Sequence, residues 1–191
     1  MKVLLVNGSP RRQGNTHQAL EIVAGALENG GVEAEICQLG GRDVRGCQSC
    51  GGCARLQNRR CVLQDEMNGF LEKIWAADGL VIGTPTYFSN VSSEVKALID
   101  RAGVVSGANG GLLRGKVGAA VVAARRSGAN FAFAAVNFLF TKCEMPVASA
   151  GYWNMTLSGA PGDVQKDAEG RQTFETLGRN MARMVLRLGA Q

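Results

Sequence analysis

The chain has 191 residues, of which 46% are hydrophobic and 19% charged, a balance that fits a soluble globular protein and excludes a disordered one. A net charge of +5 comes without a recognition helix or interleaved stacking aromatics, so no nucleic-acid partner is expected. The longest apolar stretch, residues 131–140, is cut by Asn137, and the run after Lys2 is too short for a signal peptide; a cytoplasmic protein with no membrane partner is expected.

Residues 3–6 form a continuous apolar run, which predicts a strand buried on both faces of a parallel sheet. The turn formers Asn7-Gly8-Ser9-Pro10 end it. Asn15 or Thr16 can then cap a helix, because Leu20, Val23, Ala24 and Leu27 recur with a helical period. Free backbone N–H groups and the positive end of the helix dipole meet at such a junction and favour an anion. Ser9, Asn15 and Thr16 add short donors, and Arg11 or Arg12 can add charge-assisted bonds. The loop lacks the Gly-Lys-Ser/Thr ending of a triphosphate loop and the Gly-x-Gly-x-x-Gly of a dinucleotide fold. It suits a single phosphate.

Further along, residues 32–39 alternate and predict a second strand at a sheet edge, with Cys37 as a small core residue. A glycine-rich, cysteine-rich segment follows, then an amphipathic helix over 65–77. Residues 80–82 predict the third strand, Ser92-Ser93-Glu94 the entry to a helix through Ala102, and 106–115 a glycine loop. The fourth strand is expected at 117–124, a helix at 129–142, the fifth strand at 146–150 and the last helix at about 169–188. Five strands alternating with helices give an α/β doubly wound parallel sheet with the flavodoxin-like order 2-1-3-4-5 and helices on both faces. The whole chain, 1–191, reads as one domain with a cysteine-rich insertion at about 46–61.

In such a sheet, ligands bind beyond the carboxyl ends of the strands. The loop after strand three carries Pro85, Thr86, Tyr87, Phe88 and Ser89. Its aromatics can offer a flat face to a flavin ring, and its backbone can offer N–H groups; the plainer role is to plug the gap between sheet and helix. Arg125 and Arg126 after strand four can meet a flavin edge, a nicotinamide phosphate or only solvent. Tyr152 and Trp153 are expected in core packing, with a cover for a neighbouring flavin as the alternative.

Cys47, Cys50 and Cys53 are spaced by two residues each, and Cys61 follows after seven. Disulfides are not expected in a cytoplasmic chain. Three cysteines in one tight run match iron–sulfur ligation, with Gly46, Gly51 and Gly52 letting the backbone fold closely. Zinc and free redox-active thiols stay open as alternatives. The segment starts just after strand two, so it is expected at the carboxyl end of the sheet, near this flavin crevice or a partner subunit's. Arg42, Arg45, Arg55, Arg59 and Arg60 flank it, as a solvated rim or as a docking surface for an acidic redox partner or a cofactor phosphate.

The spacing Gly-Ser-Pro-Arg-x-x-Gly-Asn-Thr over 8–16 and the stretch GTPTYFSNVSSEVKALIDR resemble the NADPH-dependent FMN reductase family. The four-cysteine spacing resembles its iron–sulfur flavoprotein branch. The resemblance implies FMN held by Ser9, Arg11, Gly14, Asn15 and Thr16 and by Pro85 through Ser89; at Arg125 and Arg126 the chain departs from the family's glycine-rich turn, and the two arginines are candidate flavin contacts on their own chemistry. It implies a [4Fe–4S] cluster on Cys47, Cys50, Cys53 and Cys61, a donor such as NAD(P)H or ferredoxin, a small acceptor, and a homodimer or homotetramer. No catalytic side chain is expected, since the flavin does the chemistry, and His17 reads as a surface residue. A plain flavin or quinone reductase without a cluster and a zinc-stabilised binding module are the alternatives.

Overall fold

A computed structural model describes residues 1–189. The five strands are β1 (Lys2–Asn7), β2 (Glu33–Gln38), β3 (Gly79–Pro85), β4 (Val117–Ala124) and β5 (Met155–Leu157). All neighbours pair in parallel in the order β2-β1-β3-β4-β5. The helices are α1 (Asn15–Asn29), α2 (Gly52–Leu56), α3 (Met67–Ala76), α4 (Ser93–Ala108), α5 (Ala129–Lys142) and α6 (Ala168–Leu188). Among the described residues, no helix is long and apolar enough to cross a membrane.

The alternation of a strand explains the layering. Val3 and Leu5 of β1 face one core with α1 and α6, while Leu4 and Val6 face the other with α3, α4 and α5. Covered on both faces, β1, β3 and β4 need no polar alternation, and β4 is buried at every position. β2 stands at the edge, where Lys2 pairs with Glu33 and Glu35, and Glu35 also pairs with Lys73. Cys37 is buried there, and burial pushes its thiol up to about 12.

The fifth strand is not at 146–150. That segment makes only an isolated bridge, Val147 opposite Gly118, with Gly118 N–H donating to Pro146 and Ala148 N–H donating to Gly118. Continuing that register would place Gly151 opposite Val122, but Met155 stands there, so four residues loop out. Tyr152 and Trp153 sit on this excursion, before β5 rather than after it. Both are about half exposed, with ring centroids 4.9 Å apart, so neither packs in the core.

α4 also runs six residues past the expected end at Ala102, into the expected glycine loop. Its last turns bury Val105 and Ser106, and that packing outweighs the low helix propensity of Gly103 and Gly107.

Candidate functional site

The first loop is built from interlocked side chains. Ser9 N–H donates to Asn7 Oδ1 at 3.1 Å, and Arg11 N–H donates to Ser9 Oγ at 3.2 Å. Asn7 Nδ2 donates to Gln38 Oε1, whose amide nitrogen in turn donates to the carbonyls of Ser9 and Gly40, each at 2.7 Å. The loop therefore rests on the end of β2. Gly8 has no room for a side chain, because a Cβ there would fall 2.1 Å from Val95 Cγ2. Ser92, the N-cap of α4, donates its hydroxyl to the Gly8 carbonyl at 2.8 Å, which ties the first and third loops together.

The expected capping of α1 by Asn15 or Thr16 does not occur. Gly14 takes the N-cap position in an extended conformation, with no side-chain cap. The first-turn N–H groups of α1 are thus left for an anion. The Asn15 side chain instead holds the loop after β5: it donates to the Ala160 carbonyl at 2.7 Å and accepts from Gly162 and Val164.

One crevice gathers Ser9, Arg11, Asn15 and Thr16 with Pro85, Thr86 and Tyr87, with Ala123 and Arg125, and with Ser158 and Gly159. Four loops at the carboxyl ends of β1, β3, β4 and β5 meet there. Thr86 Oγ1 and Ser158 Oγ are both buried with no hydrogen-bond partner among the described residues. An unpaired buried hydroxyl costs about 1–3 kcal/mol, which a polar ligand in the crevice would offset. Ser158 and Gly159 were not among the expected residues, because the end of the fifth strand was misplaced.

The remaining expected residues lie outside the crevice lining. Gly14 supplies the turn before α1. Arg126 is exposed beside the crevice. Phe88 and Ser89 form the two-residue tip of a tight turn, closed by Tyr87 N–H to Asn90 and Asn90 N–H to Tyr87. Both have left-handed backbone, φ 47° and 59°, and Phe88 is fully exposed. Tyr87 is half exposed, so neither aromatic plugs the sheet. His17 is partly buried at Nε2···Glu21 3.4 Å and does not line the crevice.

Cys47, Cys50, Cys53 and Cys61 all line a second, small cavity. The seven-residue gap before Cys61 is taken up by α2 and by left-handed residues Gln57 and Arg59, which turn the chain back. Asn68, buried on α3, clamps Cys61 by accepting from its N–H at 2.8 Å and donating to its carbonyl at 2.9 Å. Cys53 is buried, Cys61 is half-buried, and Cys47 and Cys50 are exposed. The rest of the wall is Val62, Leu63, Val104, Val105 and Arg101 with the intervening loop. Among the described residues, no three His, Cys, Asp or Glu side chains form a group able to hold a single metal ion.

This cavity is not at the carboxyl end of the sheet. Arg101 and Val105 stand about 12 and 18 Å along α4 from its start, at ~1.5 Å per residue, and the two cavities share no residue. The arginine rim is partly paired: Arg42 with Glu66, Arg45 with Asp65 and Arg60 with Glu72.

A parallel sheet of this order with a ligand crevice at its switch point defines a flavodoxin-like protein. Two solved structures agree on the fold. RosB with bound 8-demethyl-8-formylriboflavin-5'-phosphate superposes with a TM-score of 0.74 at 23% identity, covering 100% of this chain and 81% of that one. A flavodoxin WrbA-like protein of Agrobacterium tumefaciens gives 0.63 at 19% identity, covering 97% and 96%. The chain belongs to the NADPH-dependent FMN reductase family, whose model matches residues 1–159, and is an FMN-dependent oxidoreductase. Its relatives include an iron-sulfur flavoprotein of Methanocaldococcus jannaschii, 32% identical over 97% of both chains. An iron-sulfur flavoprotein of Archaeoglobus fulgidus is 36% identical over 88% of this chain and 83% of its own.

Proposed function

We propose that the chain is an iron–sulfur flavoprotein that passes electrons between a [4Fe–4S] cluster on Cys47, Cys50, Cys53 and Cys61 and FMN in the crevice. The observation that carries this reading is the convergence of all four cysteines on one small cavity. A Cys-x2-Cys-x2-Cys run followed by one further cysteine suits iron–sulfur ligation better than the two separated Cys-x2-Cys pairs usual at structural zinc. The names of the relatives support the same assignment.

In the crevice, the uncapped start of α1, Ser9, Thr16 and Arg11 receive the phosphate. Thr86 and Ser158 present their unpaired hydroxyls to the polar parts of the flavin, and Arg125 adds a cation to the same wall. Asn15 positions the loop after β5 instead of donating to the ligand. FMN bound there supplies hydride and single-electron chemistry that no side chain here has. The cysteine cavity lies along the flank of α4, so electrons pass to a crevice on a second copy as the alternative to this chain's own. Phe88, Tyr152 and Trp153 offer exposed aromatic surface for that copy in a homodimer or homotetramer.

The donor is NAD(P)H and the acceptor a small flavin or quinone. Rapid mixing of the anaerobic protein with NADPH is expected to bleach the flavin absorbance. Bleaching by reduced ferredoxin with none by NADPH would contradict that donor and make the chain an electron carrier.

A further inference from the structure

Arg101 is among the largest fully buried side chains of the protein, and it forms part of the cysteine cavity. Its Nη1 donates to Asp65 Oδ2 at 2.5 Å and to the Arg45 carbonyl at 3.1 Å. Asp65 is equally buried, and it also accepts from the N–H groups of Arg45 and Met67. One end of the guanidinium is thus locked. Its Nε and Nη2 are buried with no hydrogen-bond partner among the described residues. A charged donor without a partner in the interior is costly and rare. The Asp65 carboxylate, with both side chains buried, holds the guanidinium as a fixed cation.

We propose that Arg101 tunes the reduction potential of the iron–sulfur site, as a fixed cation whose unpaired Nε and Nη2 donors serve the cysteine sulfurs. This rests on the cluster reading above. Four thiolates make the site anionic, and one-electron reduction adds a further negative charge. A cation held beside it in a poorly screened interior favours the reduced form over the oxidised one. Hydrogen bonds to the sulfurs act in the same direction. Arg101 is therefore a positioning residue that raises the midpoint potential. Lysine there would keep the charge and lose the planar fork.

The test is a redox titration with dithionite of protein purified without air, with iron and sulfide counted in each variant. In Arg101→Met the equilibrium constant for reducing the cluster is expected to fall about tenfold, which places its midpoint about 59 mV lower for one electron. Arg101→Lys is expected to fall between that variant and the wild type. The FMN midpoint should not move, because Arg101 does not line the flavin crevice. Arg101→Met leaves Asp65 as a buried unpaired carboxylate, so the double variant Asp65→Asn, Arg101→Met is measured alongside it. A smaller shift in the same downward direction is expected there, since the Asp65 anion is removed too but Arg101 lines the cavity and Asp65 does not.

An unmoved midpoint with full iron and sulfide, in either variant, would overturn the tuning role. Loss of iron from every variant, Arg101→Lys included, would overturn it too, by making Arg101 a support of the loop. Wild-type protein without iron and sulfide would instead remove the cluster reading, and the role of Arg101 with it.

Discussion

Apoprotein carrying Ser9→Ala and Thr16→Ala together is expected to bind FMN at least tenfold more weakly than the wild type, while riboflavin binding changes little. Both side chains line the crevice beside the uncapped start of α1. Each hydroxyl bonded to a dianion is worth ~1.5–3 kcal/mol, and ~1.4 kcal/mol is already a factor of ten. Ser9 also accepts from Arg11 N–H, so its loss loosens the loop as well as removing a donor. Titration by flavin fluorescence measures both ligands. Equal weakening for FMN and riboflavin would show that these residues do not hold the phosphate.

Cys50→Ala is expected to lose the iron–sulfur chromophore and keep its FMN. Cys50 is exposed, so shortening it costs little core packing, and only the ligand set suffers. The flavin crevice shares no residue with the cysteine cavity, so the flavin absorbance should persist at about one FMN per chain. Iron analysis and the visible spectrum of protein purified without air read the two cofactors separately. Full retention of iron and sulfide in the variant would exclude Cys50 as a ligand.

Much of the frame was legible because its signals are local. Residues buried on both faces announce β1, β3 and β4 as unbroken apolar runs, and the turn formers after β1 and β3 mark the ligand loops. The failures have physical causes. A fifth strand split between 146–150 and Met155–Leu157 leaves no periodic trace, and with it Ser158 and Gly159 were missed. Asn15 looks like a cap by residue type, but its amide finds three backbone partners across the chain.

The cysteine spacing was legible as a metal-type motif, whereas its place in the fold was not. Following strand two in sequence does not keep the loop at the strand's end, because packing draws it along α4. Its supports, Asn68 and the Arg101–Asp65 pair, were invisible for a different reason. Asp65 and Arg101 are 36 residues apart, and no local pattern links them. A lone arginine on the buried face of an amphipathic helix is the sort of signal that could have exposed the pair, since such a charge requires a partner.

The metal content of the wild-type chain is the most direct test of the iron–sulfur site. Protein purified without air and assayed for iron, acid-labile sulfide, zinc and FMN should contain about four iron and four sulfide per chain at full occupancy, together with FMN. Zinc in place of iron, or neither metal beside a full complement of FMN, would contradict the iron–sulfur site and leave a plain flavin reductase with a cysteine-rich loop.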